Sequence, residues 1–152
     1  MKIERKYLAH FIQVGDSYER LGKDLEEFSP QMSAQVETKK NILGENTVII
    51  SGYEKTVDVA PYYAESGTGL FELLQDIIDG NKVLEELKTH VVEVKLWEEV
   101  DGKFAAIREE AYIEVTSYGG DTTGYQIPFT LHYTGKKEKG IFDPEIKEFT
   151  AA

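Results

Sequence analysis

The chain has 152 residues, room for one domain with a substantial core and not for a second. Its 28 acidic and 17 basic residues leave a net charge of -11, which argues against ordinary nucleic-acid binding, where Lys and Arg neutralise phosphates; an acidic wall near DNA would repel it instead. Without cysteine there is no disulfide, thiolate nucleophile or Cys-ligated zinc; no window reaches the roughly 18 consecutive apolar residues of a membrane span, and the charged start Lys2-Ile3-Glu4-Arg5-Lys6 lacks a signal-peptide core, so a soluble protein folded in a cytoplasm is expected.

Residues 9–14 predict a first strand. Residues 15–32 are polar and acidic, with breakers at Gly15-Asp16, Leu21-Gly22 and Ser29-Pro30. A loop of that length in a compact domain is functional or disordered, and a strand or helical turn fits within it around Tyr18–Phe28. Residues 33–43 predict a strand, Leu43-Gly44-Glu45-Asn46 a turn, and 47–50 a β-branched run. Gly52 opens a second extended run over 53–63, with Tyr53, Lys55, Val57 and Val59 on one face and Glu54, Thr56 and Asp58 on the other.

Leu70, Leu73, Leu74, Ile77 and Ile78 recur at helical spacing and predict a helix from Thr68 or Gly69 to Asp79. Thr68 is its N-cap and Gly80-Asn81 its stop, with a further turn expected over 82–88. Beyond it Val92, Val94 and Leu96 alternate with Glu93, Lys95 and Trp97, and Asp101-Gly102 predicts a hairpin turn. The return run sets Ala111, Ile113 and Val115 against Glu110, Tyr112 and Glu114. Phe104 and Ala106 have the opposite phase, so a bulge is expected near 108–110.

After Gly119-Gly120-Asp121 and Gly124, residues Ile127, Phe129, Leu131 and Tyr133 alternate with polar neighbours. Pro128, which cannot donate to a ladder, puts an edge or distortion there. A last strand is expected over 147–150. The sum is a mainly β (α+β) fold, an antiparallel sandwich or open barrel with one flanking helix and a long N-terminal loop, as a single domain over 1–152. The outward strand faces carry Tyr, Trp and Thr between charges, which suits pairing with neighbouring subunits.

No enzymatic constellation stands out, and no cofactor or metal is expected. His10, His90 and His132 lie on separate strands without metal-ligand spacing. Glu98-Glu99 and Glu109-Glu110 are adjacent, so on a strand each pair splits between two faces. Ser66-Gly67-Thr68-Gly69 resembles an anion-binding helix entry, but it has no P-loop ending and reads as a loop with an N-cap. Trp97, Tyr112 and Tyr118 fit interface anchors better than a sugar-stacking platform.

The order of short motifs resembles the major tail tube family of long-tailed phages and prophage tails. It runs through Val36-Glu37-Thr38-Lys39-Lys40, Val48-Ile49-Ile50-Ser51-Gly52-Tyr53-Glu54, and the Leu/Ile-rich helix after Ala64-Glu65. It continues with Lys103-Phe104-Ala105-Ala106-Ile107-Arg108, Glu114-Val115-Thr116-Ser117-Tyr118-Gly119-Gly120-Asp121, Leu131-His132-Tyr133-Thr134-Gly135, Lys139-Gly140-Ile141-Phe142-Asp143 and Lys147-Glu148-Phe149-Thr150. The resemblance implies a structural virion protein made in the host cytoplasm, whose hexameric rings stack into a hollow tube. Implied partners are copies of itself, a tape-measure protein, tail terminator and distal tail proteins, a contractile sheath in some tails, and passing DNA that is not specifically bound.

On that resemblance residues 15–32 become an inter-ring arm carrying Tyr18, Leu21, Leu25 and Phe28. Glu54, Asp58, Glu93, Glu110 and Glu114 become acidic lumen residues, and Lys55 and Lys95 are placed to pair with nearby carboxylates. The alternatives are a monomeric β-sandwich binding module, for example for carbohydrate, and a head–tail joining or tail terminator ring protein.

Overall fold

Among the described residues, alternating and β-branched segments pair into ten strands, every pairing antiparallel. The structure, a computed structural model, describes residues 2–22, 25 and 27–151. The strands are β1 Leu8–Val14, β2 Ser17–Leu21, β3 Gln31–Lys40, β4 Asn46–Val59, β5 Lys88–Val100, β6 Lys103–Val115, β7 Gly119–Asp121, β8 Gly124–Gln126, β9 Phe129–Asp143 and β10 Glu148–Ala151. One helix, α1, spans Gly69–Gly80. Eight strands form one sheet in the order β2-β1-β5-β6-β9-β4-β3, with β10 on β9, and β7-β8 make a separate hairpin. The long β9 is shared: Phe129–His132 pair with β4 and Gly140–Asp143 with β10. A side chain at Gly140 would collide with the Thr150 carbonyl, so the close approach of β10 requires glycine there.

Register divides the sheet into two faces. Ile12, Val91, Ala111, Ile113, Leu131, Phe129, Val57 and Val59 share one, and α1 covers it with Leu70, Leu74 and Ile77 to form the main core. The helix starts where Thr68 accepts from the Phe71 amide and ends at Asn81 in the left-handed region. Ala9, Phe11, Val92, Val94, Ala106 and Phe142 lie on the opposite face, beside Tyr18, in a second and smaller core. The sheet is therefore buried on both sides around β1, β5 and β6, and this explains the phase change along β6. Ala106 faces one core and Ala111 and Ile113 the other.

The fold class is the expected one, a mainly β antiparallel sheet with a single flanking helix. Several local expectations shift. The bulge foreseen near 108–110 occurs in the β6–β9 pairing between Glu109 and Ala111, but the extra residues sit on β9 around Gly135. A second irregularity falls between Lys95 and Glu99 on β5. The runs 47–50 and 53–63 are one strand, β4, with Ser51 as an inserted residue. Its far end stops at Val59. The turn expected over 82–88 is a 3₁₀ turn at Leu84–Leu87.

Within the long N-terminal loop, the strand that fits around Tyr18–Phe28 is present as β2 at Ser17–Leu21, paired with β1 from His10↔Leu21 to Val14↔Ser17. Residues 23, 24 and 26 of that segment lie outside the described residues.

Candidate functional site

The most unusual element is the β3–β4 hairpin. β4 pairs with β9 only over Thr56–Val59, while its pairing with β3 continues to Lys40↔Asn46. Residues 46–55 thus extend roughly 30 Å past the body at the ordinary strand rise. Every residue of β3 is exposed. An isolated two-stranded hairpin is marginal in water, and here both long edges are open.

The ribbon is also amphipathic. Between Gln35↔Gly52 and Val36↔Ile50 the register shifts by the single residue Ser51. That bulge reverses the phase of β4, so Ile50 and Val48 join Tyr53 on one face, opposite Met32, Ala34 and Val36 of β3. Without it they would point to the other side. This stripe continues the helix-covered face of Val57 and Val59, but none of the described residues covers it, and Met32, Val36, Val48, Ile50 and Tyr53 are all exposed. The reverse face carries Gln31, Ser33, Gln35, Glu37, Lys39 and Glu54, relieved only by Ile49.

The tip is rigidly built. Asn41 Oδ1 accepts from the Leu43 and Glu45 amides at 2.9 and 3.0 Å, and the Asn41 carbonyl accepts from Gly44, whose φ of 82° suits glycine. Ile42 and Leu43 are left 102% and 77% exposed.

At the ribbon base, next to the last β4–β9 pair, Lys55 Nζ donates to Glu109 Oε1 at 3.0 Å; their side chains are 17% and 4% exposed. Lys55 also lies 4.5 Å from the Tyr133 ring centre. Burial pushes the Tyr133 phenol far above its usual range, with the carboxylates Glu109 and Glu93 adding to the effect. Beside them buried His10 sets Nε2 3.4 Å from Glu93 Oε1, without hydrogen-bond alignment, and packs on Phe28 at 4.5 Å. Burial lowers the His10 pKa despite Glu93, and the His10 contact in turn lowers that of Glu93. Lys55 therefore does pair with a carboxylate, as its position on the strand implied.

Of the five acidic residues read from the sequence as a group, Glu54, Asp58, Glu110 and Glu114 share the helix-free face. Glu93 departs from them, since strand parity puts it on the helix-covered side against His10. Glu114 contacts His132 Nε2 at 2.7 Å, Asp58 accepts from Thr130 at 2.8 Å, and buried Glu110 lies 3.6 Å from Lys88 and 3.9 Å from Lys136. Glu109 and Glu110 point to opposite faces, as adjacency on a strand requires.

The arm residues sit elsewhere than a free arm would place them. Tyr18, Leu21 and Phe28 are buried in the subunit's own core and Leu25 is half-buried, bridged to Tyr62. Tyr18 meets Phe142 edge-on at 6.0 Å. The physical reason is burial: these apolar side chains find cover inside the subunit, whereas Met32 and Val36 of β3 and Val48, Ile50 and Tyr53 of β4 stay exposed.

The aromatic candidates do not converge either. Trp97 is exposed in the irregular stretch of β5. Tyr112, on the helix-free face, donates to Glu85 at 3.1 Å, and Tyr118 is exposed beyond β6. Along β6, the partner of Lys95 lies about 23 Å from Tyr112 at the usual rise, too far for one stacking platform.

The helix N-terminus considered as an anion site is already occupied by the chain's own carboxylate, with Glu19 Oε2 accepting from the Leu70 amide at 2.9 Å. Among the described residues no group of three or more His, Asp or Glu is placed to hold a metal ion.

No family model and no curated protein matches this sequence. Among solved structures, the SPP1 tail tube determined by solid-state NMR and cryo EM superposes with a TM-score of 0.66. The match has 18% identity and covers 91% of this chain and 78% of that one. The chain has the fold of the SPP1 tail tube protein.

Proposed function

We propose that this protein is a non-enzymatic structural subunit of a phage or phage-derived tail tube, whose copies close into hexameric rings that stack around a DNA passage. The observation that carries the reading is the amphipathic β3–β4 ribbon, whose apolar stripe no described residue of the subunit covers. The shared fold makes a second copy the natural partner. Open edges on β2 and β3 offer backbone groups for pairing between subunits, and a ring satisfies both at once.

In this reading the helix-free face lines the lumen with exposed Glu54, Asp58 and Glu114, while Glu110 on the same face is buried beside Lys88. In a chain of net charge -11 that face lets DNA slide without adhering. Residues 15–32 serve ring stacking through their exposed turn at Gly15-Asp16, and the ribbon supplies the longer reach. Trp97 and Tyr118 act as interface anchors. A tape-measure protein inside, terminator and distal proteins at the ends and, in contractile tails, a sheath outside complete a virion tail.

Negative-stain electron microscopy of the concentrated protein tests this. Tubes or stacked rings with six-fold end views are expected. Uniform monomers at high concentration overturn the reading, and single rings that never stack would assign a joining or terminator role instead.

A further inference from the structure

The β3–β4 ribbon joins the body at one narrow root. The β4–β9 ladder ends at Thr56↔His132; past it β9 carries extra residues around Gly135, whose φ is 89°, and no longer pairs with β4. In the sheet β3 pairs with β4 alone. Among the described residues, none of 31–55 belongs to either core. Between the ribbon base and β9 lies a hollow of about 200 Å³, bordered by Met32, Tyr53, Tyr133, Gly135 and Lys137. A two-stranded ribbon with nothing packed on it twists readily, so its direction is set where it leaves the body.

One contact spans that root. Among the described residues, Lys55 is the only one in 31–55 whose side chain bonds outside the ribbon. Its Nζ donates to Glu109 Oε1 on β6 at 3.0 Å and lies 4.5 Å from the centre of the Tyr133 ring on β9. The other ribbon strand begins shortly after Phe28, whose ring packs at 4.5 Å on His10, a neighbour of the same cluster. Swinging the ribbon away parts Lys55 from Glu109 and leaves a largely buried carboxylate without its cation, which opposes the motion.

We propose that the ribbon pivots about Thr56 and Gly135, and that the Lys55–Glu109 pair is the latch that fixes its direction in the free subunit. For a lever of this length, a swing of about 20° carries the tip about 10 Å. A latched ribbon presents its stripe in one direction before any partner arrives, so less orientational freedom is lost on contact.

The cysteine-free sequence takes spin labels at chosen sites. Labels at Thr47→Cys near the tip and Glu72→Cys on the exposed side of α1 report the ribbon direction as a distance distribution in pulsed electron paramagnetic resonance, run below the assembly concentration. The otherwise unmodified subunit should give one narrow distance. Adding Lys55→Met with Glu109→Leu should keep cooperative melting and broaden the distribution by about 10 Å. A double variant as narrow as its parent, or a parent already as broad as the variant, overturns the latch. Should the double variant not fold, Glu109→Gln, which removes the charge at nearly the same size, takes its place with the same two outcomes. The measurement is made on single subunits, so its result is independent of whether copies form tubes.

Discussion

Replacing Lys55 by Met removes the cation that neutralises Glu109 at the point where the ribbon leaves the body. The two charges sit 3.0 Å apart, and the Glu109 side chain is only 4% exposed. At an effective dielectric near 20 their attraction is about 5 kcal/mol, and orphaning one member of a buried pair typically costs about 3–5 kcal/mol. Lys55→Met should therefore lower the unfolding free energy of the subunit by about 3–5 kcal/mol. Glu109→Leu should cost less, because Lys55, at 17% exposure, can move its ammonium toward water. The double variant Lys55→Met/Glu109→Leu should return to within about 1 kcal/mol of the parent, since apolar replacement of a whole buried pair is often neutral. Urea unfolding followed through Trp97, the only tryptophan, and run below the assembly concentration gives all four corners of the cycle. If Lys55→Met cost under about 1 kcal/mol, or the double variant were no better than the worse single one, the pair would not be the buried anchor described above.

The pair of substitutions Val48→Asp and Ile50→Asp changes two exposed stripe residues, so subunit stability should stay within about 0.5 kcal/mol while sedimentation shows assemblies abolished. His10 makes a pH prediction. Its folded pKa is lowered below 6.5, so the unfolded chain takes up the proton first and stability falls as pH drops below about 6.5, earlier than the carboxylates require. Thermal melts between pH 7.5 and 5.5 should show a shallower loss in His10→Asn than in the parent; equal slopes would remove His10 from the acid response. Asp58→Lys with Glu114→Lys reverses charge on the helix-free face and should slow DNA delivery by assembled particles more than it reduces their number in micrographs. Unchanged delivery from normal tubes would move the lumen to another surface.

What the sequence made legible follows how local each signal is. The helix was readable to within a residue because five apolar side chains repeat at its period and Thr68 caps it. The strand alternation gave the sheet its class, but the phase break between Phe104 and Ala111 marks two cores on opposite faces of the sheet and not an inserted residue in β6. Which strand carries the extra residues depends on pairing with β9, a contact distant in sequence, so that part was hidden. In the 15–32 segment a strand was legible, but the burial of its apolar residues was hidden for the same reason. Polar spacing there looks like a free loop, yet Tyr18 and Phe28 are held by Phe142 and His10. The ribbon stripe did leave a trace: Val48 and Ile50 are out of phase with Tyr53, and Ser51-Gly52 lies between them, the mark of a bulge. Its exposure was not legible, because β-branched residues on alternating positions ordinarily mean burial.

A ribbon with an uncovered apolar face is an aggregation hazard, and the way this chain limits the hazard bears on how copies meet. The outer edge strand β3 carries Glu37, Lys39 and Lys40 toward its tip, and the Ser51 bulge bends β4. Edge-to-edge stacking of two ribbons in register would bring like residues together and set the lysines of one strand against those of the next. Burying the stripe against a different surface avoids that clash. The same logic disfavours a closed two-fold dimer, whose contacts are made by one patch with itself, and favours a head-to-tail contact that each added copy repeats. A marginal hairpin gains its stability only when such a surface receives it. If copies assemble as proposed, the first contacts between them are weak and later ones are reinforced by neighbours, the energetic shape of an assembly that is slow to start and persistent once closed.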